Sequence, residues 1–172
     1  MKIYRNLAEW ETALGTHIGH SDWYTVTQDE VNLFAEATGD HQWIHVDPVR
    51  AKDGPFDGTI VHGYFTLSLI PGLVWQVFRV DGIEMSMNYG TDKVRFPAPL
   101  PVGARIRAGV ELVALEPRAG GVQEVLRVTV EREGGDKPVC VADTVSLLFP
   151  ATPAVPATPV APAGTNDVGS RP

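Results

Sequence analysis

Residues 63–78 read Gly63-Tyr64-Phe65-Thr66-Leu67-Ser68-Leu69-Ile70-Pro71-Gly72-Leu73-Val74-Trp75-Gln76-Val77-Phe78. No side chain in this stretch is charged, and apolar groups fall on all sides of a helical projection. It is shorter than the ~18 residues that a membrane span needs, so it predicts a helix buried on every face within a folded domain. Pro71 has no N–H to offer the carbonyl of Leu67, and Gly72 is a weak helix former. The helix should therefore kink or break near residue 70, with Leu67, Ile70 and Val74 lining any room that opens beside it.

A helix apolar on all sides needs material that wraps it, and the sequence supplies strands directly afterwards. Ile83, Met85, Met87 and Tyr89 alternate with smaller or polar residues, and Val94 and Phe96 continue as a second strand. Ile106, Ala108, Val110 and Leu112 alternate against Arg105, Arg107 and Glu111; Leu126, Val128 and Val130 alternate against Arg127, Thr129 and Glu131. Val139, Val141, Val145, Leu147 and Phe149 complete the set. Gly- or Pro-rich turns at 97–103, 116–121 and 133–137 separate them. Consecutive strands joined by short turns pair antiparallel. The fold class is α+β: one curved antiparallel sheet wrapped around a central apolar helix.

Upstream, Leu7, Trp10 and Leu14 predict a helix over 6–14, and a short strand follows at 23–26. Thr27 and Glu30 form a capping box that opens a helix over 28–38, with Val31, Phe34 and Ala35 inward and Gly39 as its stop. Residues 40–61 read as loop, with a short helix after Pro48. At the other end, Pro153, Pro156, Pro159 and Pro162 recur every third residue among Ala, Thr and Val. Such composition does not offset its ordering entropy, so 1–150 is the domain and 151–172 a disordered tail.

Bulk properties narrow the partners. A net charge of −7 without a Lys/Arg cluster points away from nucleic acid. The single cysteine, Cys140, excludes an internal disulfide and reads as a core thiol. The N-terminus lacks a signal-peptide pattern and no run is long enough for a membrane, which predicts a cytoplasmic protein.

Chemistry concentrates in the loop Thr38-Gly39-Asp40-His41-Gln42-Trp43-Ile44-His45 and in Ile60-Val61-His62-Gly63, where the central helix starts. A carboxylate and an imidazole five residues apart, just upstream of a His-Gly helix start, are the general acid–base types. These residues resemble the MaoC-like, or type 2 (R)-specific enoyl-CoA hydratase, family, which has the hot dog fold. There a Thr/Ser-Gly-Asp-x-Asn-x-x-His loop precedes an Ile-x-His-Gly segment. The resemblance covers roughly residues 22–112. Gln42 stands where the family has Asn, and Trp43 where Pro is common.

The resemblance implies reversible addition of water to a trans-2-enoyl-CoA to give an (R)-3-hydroxyacyl-CoA. Asp40 and His45 would hold the water, and Gln42 would orient it. The N–H of Gly63 would meet the thioester oxygen, a glycine letting that oxygen approach without a Cβ in the way. His62, Tyr64, Leu67 and Arg95 are the expected substrate contacts, His62 mainly packing the helix entrance. A homodimer with sheets paired edge to edge is implied as well. No cofactor is expected, and no metal, because Asp40, His41, His45 and His62 do not form a recognised ligand spacing. Two other functions compete. A hot dog thioesterase would want a carboxylate on the central helix or its lead-in, and 62–78 has none. A non-catalytic acyl-thioester binding subunit would have no use for Asp40 and His45.

Overall fold

The computed structural model describes residues 1–151. The tail expected over 151–172 lies outside the described residues, apart from Ala151. In chain order the elements are β1 (Lys2–Tyr4), α1 (Leu7–Glu11), β2 (His17–His20), β3 (Tyr24–Thr25), α2 (Gln28–Thr38), α3 (Trp43–Val46) and α4 (Pro48–Lys52). They continue with α5 (Gly63–Ser68), α6 (Ile70–Val74), β4 (Phe78–Val80), β5 (Ile83–Arg95), β6 (Arg105–Arg118), β7 (Gly121–Arg132) and β8 (Cys140–Pro150).

The local signals act where they were read. The Thr27 hydroxyl accepts from Glu30 N while the Glu30 carboxylate accepts from Thr27 N, closing the capping box of α2. Gly39 ends that helix in the left-handed region, at φ 78°. The central stretch divides at Leu69 into α5 and α6, with Pro71 in the first turn of α6 where its missing N–H does least harm.

The main sheet runs β2-β6-β7-β8-β5, with β3 also paired to β6, and all its pairings are antiparallel. Ile106, Ala108, Val110, Val128 and Val130 are fully buried on one face, joined by Leu112, Ile70, Leu73 and Val74. The sheet thus meets the central helices across a single core. At the far end of α6, β4 pairs in parallel with β1, and Trp10 stacks on Phe78 with ring centroids 4.4 Å apart. Cys140 is fully buried, and burial pushes its thiol up to about 11.

Three expectations need correction. The central helix is not enclosed on all sides: Tyr64 and Trp75 are 72 % and 73 % exposed. Among the described residues no element covers these two side chains. Residues 83–95 form one strand with register shifts rather than two, with Lys93 at φ 53° near its end. That strand is the sheet edge, and Met85, Met87 and Tyr89 are exposed instead of joining the core. In β8 the core face begins with Cys140 and Ala142, opposite Val130 and Val128, so Val141, Leu147 and Phe149 fall on the other face. With apolar residues at both parities, only pairing to β7 chooses which face turns inward.

Candidate active site

Asp40 leaves α2 immediately after the Gly39 stop, and its carboxylate accepts the backbone N–H of Gln42 at 3.4 Å. The short α3 then carries His45 inward until it is 7 % exposed. His45 Nδ1 lies 2.7 Å from the Ile60 carbonyl. A carbonyl oxygen only accepts, so Nδ1 carries the proton and Nε2 keeps its lone pair. Ile60 is itself held, its N–H donating to the Ile44 carbonyl at 3.0 Å. The lead-in to α5 and the His45 turn are therefore tied together on both sides of the imidazole.

His62, 2 % exposed, stacks on His45 with centroids 3.8 Å apart. Its Nε2 donates to the Asp40 backbone carbonyl at 2.9 Å and stands 4.0 Å from the Asp40 carboxylate. Burial is the largest influence on the His45 pKa and lowers it; the Ile60 carbonyl acts the other way, His62 lowers it further, and Asp40 raises it. His45 is thus a neutral imidazole at pH 7, with a basic nitrogen available.

One ring nitrogen from each histidine and one Asp40 oxygen all lie within 4.8 Å of one another. Two hydrogen bonds of about 2.8 Å that meet at one tetrahedral water span about 4.6 Å. No direct hydrogen bond joins the Asp40 carboxylate to either imidazole among the described residues, and a separation of up to 4.8 Å leaves room for a shared water. The same donor types can hold a divalent metal. Ligation through His62 Nε2 would cost the bond that fixes Asp40.

Gly63 opens α5, where a first-turn N–H precedes any carbonyl of its own helix. A Cβ built at Gly63 would come within 2.9–3.0 Å of three carbons of the Phe96 ring. The glycine is therefore required by Phe96 as well, a constraint the sequence did not disclose. Gln42 reaches Asp40 through its backbone; no hydrogen bond from its side-chain amide is present among the described residues. Leu67, Ile70 and Val74 line a groove of about 740 Å³ between the central helices and β5. Tyr64 and Arg95 are exposed and stand outside the cluster, Tyr64 edge-on to Phe96 and Arg95 donating to the Val94 carbonyl at 2.7 Å. His41 lies on the surface beside Glu36 at 3.8 Å, and His17 and His20 form a separate exposed pair.

Sequence reasoning missed the residues that hold this site from behind. Gln28 Nε2 donates to the His45 carbonyl at 2.7 Å, and its Oε1 accepts from the Thr59 hydroxyl at 2.6 Å. Phe34 packs against both His62 and Phe65 at centroid distances of 5.1 Å. The signal for Gln28 was weak: a polar residue in the first turn of α2 ordinarily faces water. Phe34 was placed inward by helical spacing, without a partner.

The sheet, its broken central helix and the loop that closes over the helix start define a hot dog protein. The chain belongs to the MaoC-like family, whose MaoC like domain matches residues 9–134. It is 53 % identical over 146 residues to the 3-hydroxyacyl-thioester dehydratase Z of Mycobacterium tuberculosis, covering 84 % of this chain and 97 % of that protein. Nodulation protein N of Rhizobium leguminosarum is 38 % identical over 146 residues, covering 83 % and 91 %. Among solved structures, the (R)-hydratase of Aeromonas caviae involved in PHA biosynthesis superposes with a TM-score of 0.63 at 27 % identity, over 77 % of this chain and 94 % of that one.

Proposed function

We propose that this chain is a hydro-lyase that interconverts trans-2-enoyl and (R)-3-hydroxyacyl thioesters. The observation that carries the reading is the gathering of the Asp40 carboxylate and a ring nitrogen of the neutral His45 within 4.8 Å of one another, which leaves room for one water between them. In the hydration direction that pair removes a proton as the water oxygen bonds to C3. The C2–C3 π electrons move toward the thioester oxygen, and the enolate charge meets the Gly63 N–H. The proton then returns to C2, restoring the carbonyl and leaving the base free. General acid–base groups typically contribute about 10²–10⁴ in rate, and one oxyanion donor about 10²–10³. Gln42 orients Asp40, and Leu67 borders the acyl chain.

Dehydration is the same equilibrium run backwards, and the likeness to a mycobacterial 3-hydroxyacyl-thioester dehydratase supports it. We assign CoA as the carrier, with Tyr64 and Arg95 on the exposed approach. Arg suits CoA phosphates. The absorbance of the conjugated enoyl band tests the reading: it should fall on adding enzyme to 2-enoyl-CoAs, and no change across short and long chains would refute it.

We also propose a homodimer. β5 is a long edge strand with Met85, Met87 and Tyr89 exposed at 51 %, 43 % and 66 %, and pairing it with a second copy would remove the open edge. Light scattering should give twice the chain mass. No helix among the described residues is long and apolar enough to cross a membrane, and we place the protein in the cytoplasm.

A further inference from the structure

We propose that Glu124 is a specificity-determining residue, which hydrogen-bonds a hydroxyl carried far along the acyl chain, so that the groove takes hydroxylated long-chain thioesters. The inference rests on the hydro-lyase reading and extends it to a substrate class.

The groove beside α5 and α6 is walled mainly by apolar groups, among them Leu67, Ile70, Val74, Phe78, Leu126 and Leu148. One buried carboxyl interrupts that wall. Glu124, on β7, is 4 % exposed and borders the groove. Trp10 Nε1 donates to its Oε2 at 2.7 Å, and Trp10 is pinned between Tyr4 and Phe78. The other carboxyl oxygen has no hydrogen-bond partner among the described residues. A neutral amide would satisfy the indole equally well without the cost of an ionisable group in an apolar wall. The carboxyl thus has surplus capacity aimed at whatever fills the groove.

A hydroxyl is the group that matches it. Burial pushes Glu124 up to about 7, so both of its forms are present at neutral pH. The carboxylate only accepts, whereas the acid also donates. A hydroxyl can answer either form; a carbonyl can answer only the acid and a methyl neither. The position follows from the fold. Trp10 bonds Glu124 and stacks on Phe78, just past the end of α6, and Gly63 to Val74 is at most about 16 Å at 1.5 Å per residue, because the helix is interrupted at Leu69. An extended chain with C–C bonds of about 1.5 Å covers that distance with on the order of a dozen carbons. The hydroxyl therefore belongs near the end of a chain of about that length or somewhat longer.

The test compares trans-2-hexadecenoyl-CoA with its 16-hydroxy analogue in the full chain and in Glu124→Leu and Glu124→Gln. The wild type should favour the hydroxylated substrate in kcat/KM by about tenfold or more. Glu124→Leu should bring the ratio to one or below, and Glu124→Gln should keep part of it. Calorimetric binding of 16-hydroxyhexadecanoate against hexadecanoate reads the same preference without turnover. Wild-type hydration of trans-2-butenoyl-CoA, too short to reach Glu124, tests the hydro-lyase reading by itself. A ratio near one in the wild type, or one that neither substitution changes, overturns the proposal.

Discussion

The imidazoles of His45 and His62 stack at 3.8 Å, each spending one ring nitrogen on a backbone carbonyl, Ile60 for the first and Asp40 for the second. A proton on His45 is therefore opposed by burial and by His62. The His45 pKa lies below its ordinary 6.5, with burial as the main cause. If neutral His45 is the working form, kcat/KM should fall on the acid side with a midpoint below 6.5. His62→Phe, which keeps a flat ring but removes the bond to Asp40, should lower kcat while preserving that acid limb. An acid midpoint above 6.5 would contradict the role given to His45.

Asp40→Ala, Asp40→Asn and His45→Ala should each lower kcat by about 10²–10⁴-fold with the circular dichroism spectrum retained. Gln42→Ala should cost less than any of them, because Gln42 touches Asp40 through its backbone N–H, which the substitution keeps. Near wild-type kcat in both Asp40→Ala and His45→Ala would refute the site. Equal loss in Gln42→Ala and Asp40→Ala would give the Gln42 amide a role of its own.

Gly63→Ala should lose activity and stability together, by about 1–3 kcal/mol for the stability, because the new methyl meets Phe96. Combining it with Phe96→Ala tests the cause. A Gly63→Ala penalty in melting temperature that shrinks or vanishes in the Phe96→Ala background identifies a steric clash. Additive losses would place the fault elsewhere.

Chain-length dependence should be shallow past C6, since the groove of about 740 Å³ continues beside α6 beyond the helix break. Comparing kcat/KM from C4 to C12 2-enoyl-CoAs measures this. A steep fall above C6 would confine the break to fitting the helix against its sheet.

Glu124 makes stability depend on pH in a definite direction. Its folded pKa of about 7 exceeds the ordinary 4.5, so between those values the folded state binds the more protons and stability falls as pH rises. Glu124→Gln should remove that slope, a relative gain of at most about 3 kcal/mol at pH 8 compared with pH 4.5. Chemical denaturation at the two pH values reads it directly, and parallel slopes in the two proteins would refute the shift.

The sequence determined what depends on local rules. The Thr27–Glu30 box and Gly39 set both ends of α2 because capping uses neighbouring atoms. Pro71 broke the central helix by steric exclusion within one turn. Alternation in β6 and β7 marked their core faces because the other parity is polar, and the same parity from Leu126 turns Glu124 inward. The Asp40-to-His45 spacing was also legible, as residue types in one short loop. Only tertiary structure decided the rest. The His45 tautomer depends on Ile60, fifteen residues away, and the need for glycine at 63 depends on Phe96. Which face of β8 is buried depends on its register with β7, and Met85, Met87 and Tyr89 are exposed because β5 lies at the sheet edge. Hydrophobic pattern states that a surface wants burial. What covers it is set by packing between segments distant in sequence, a property no local window contains.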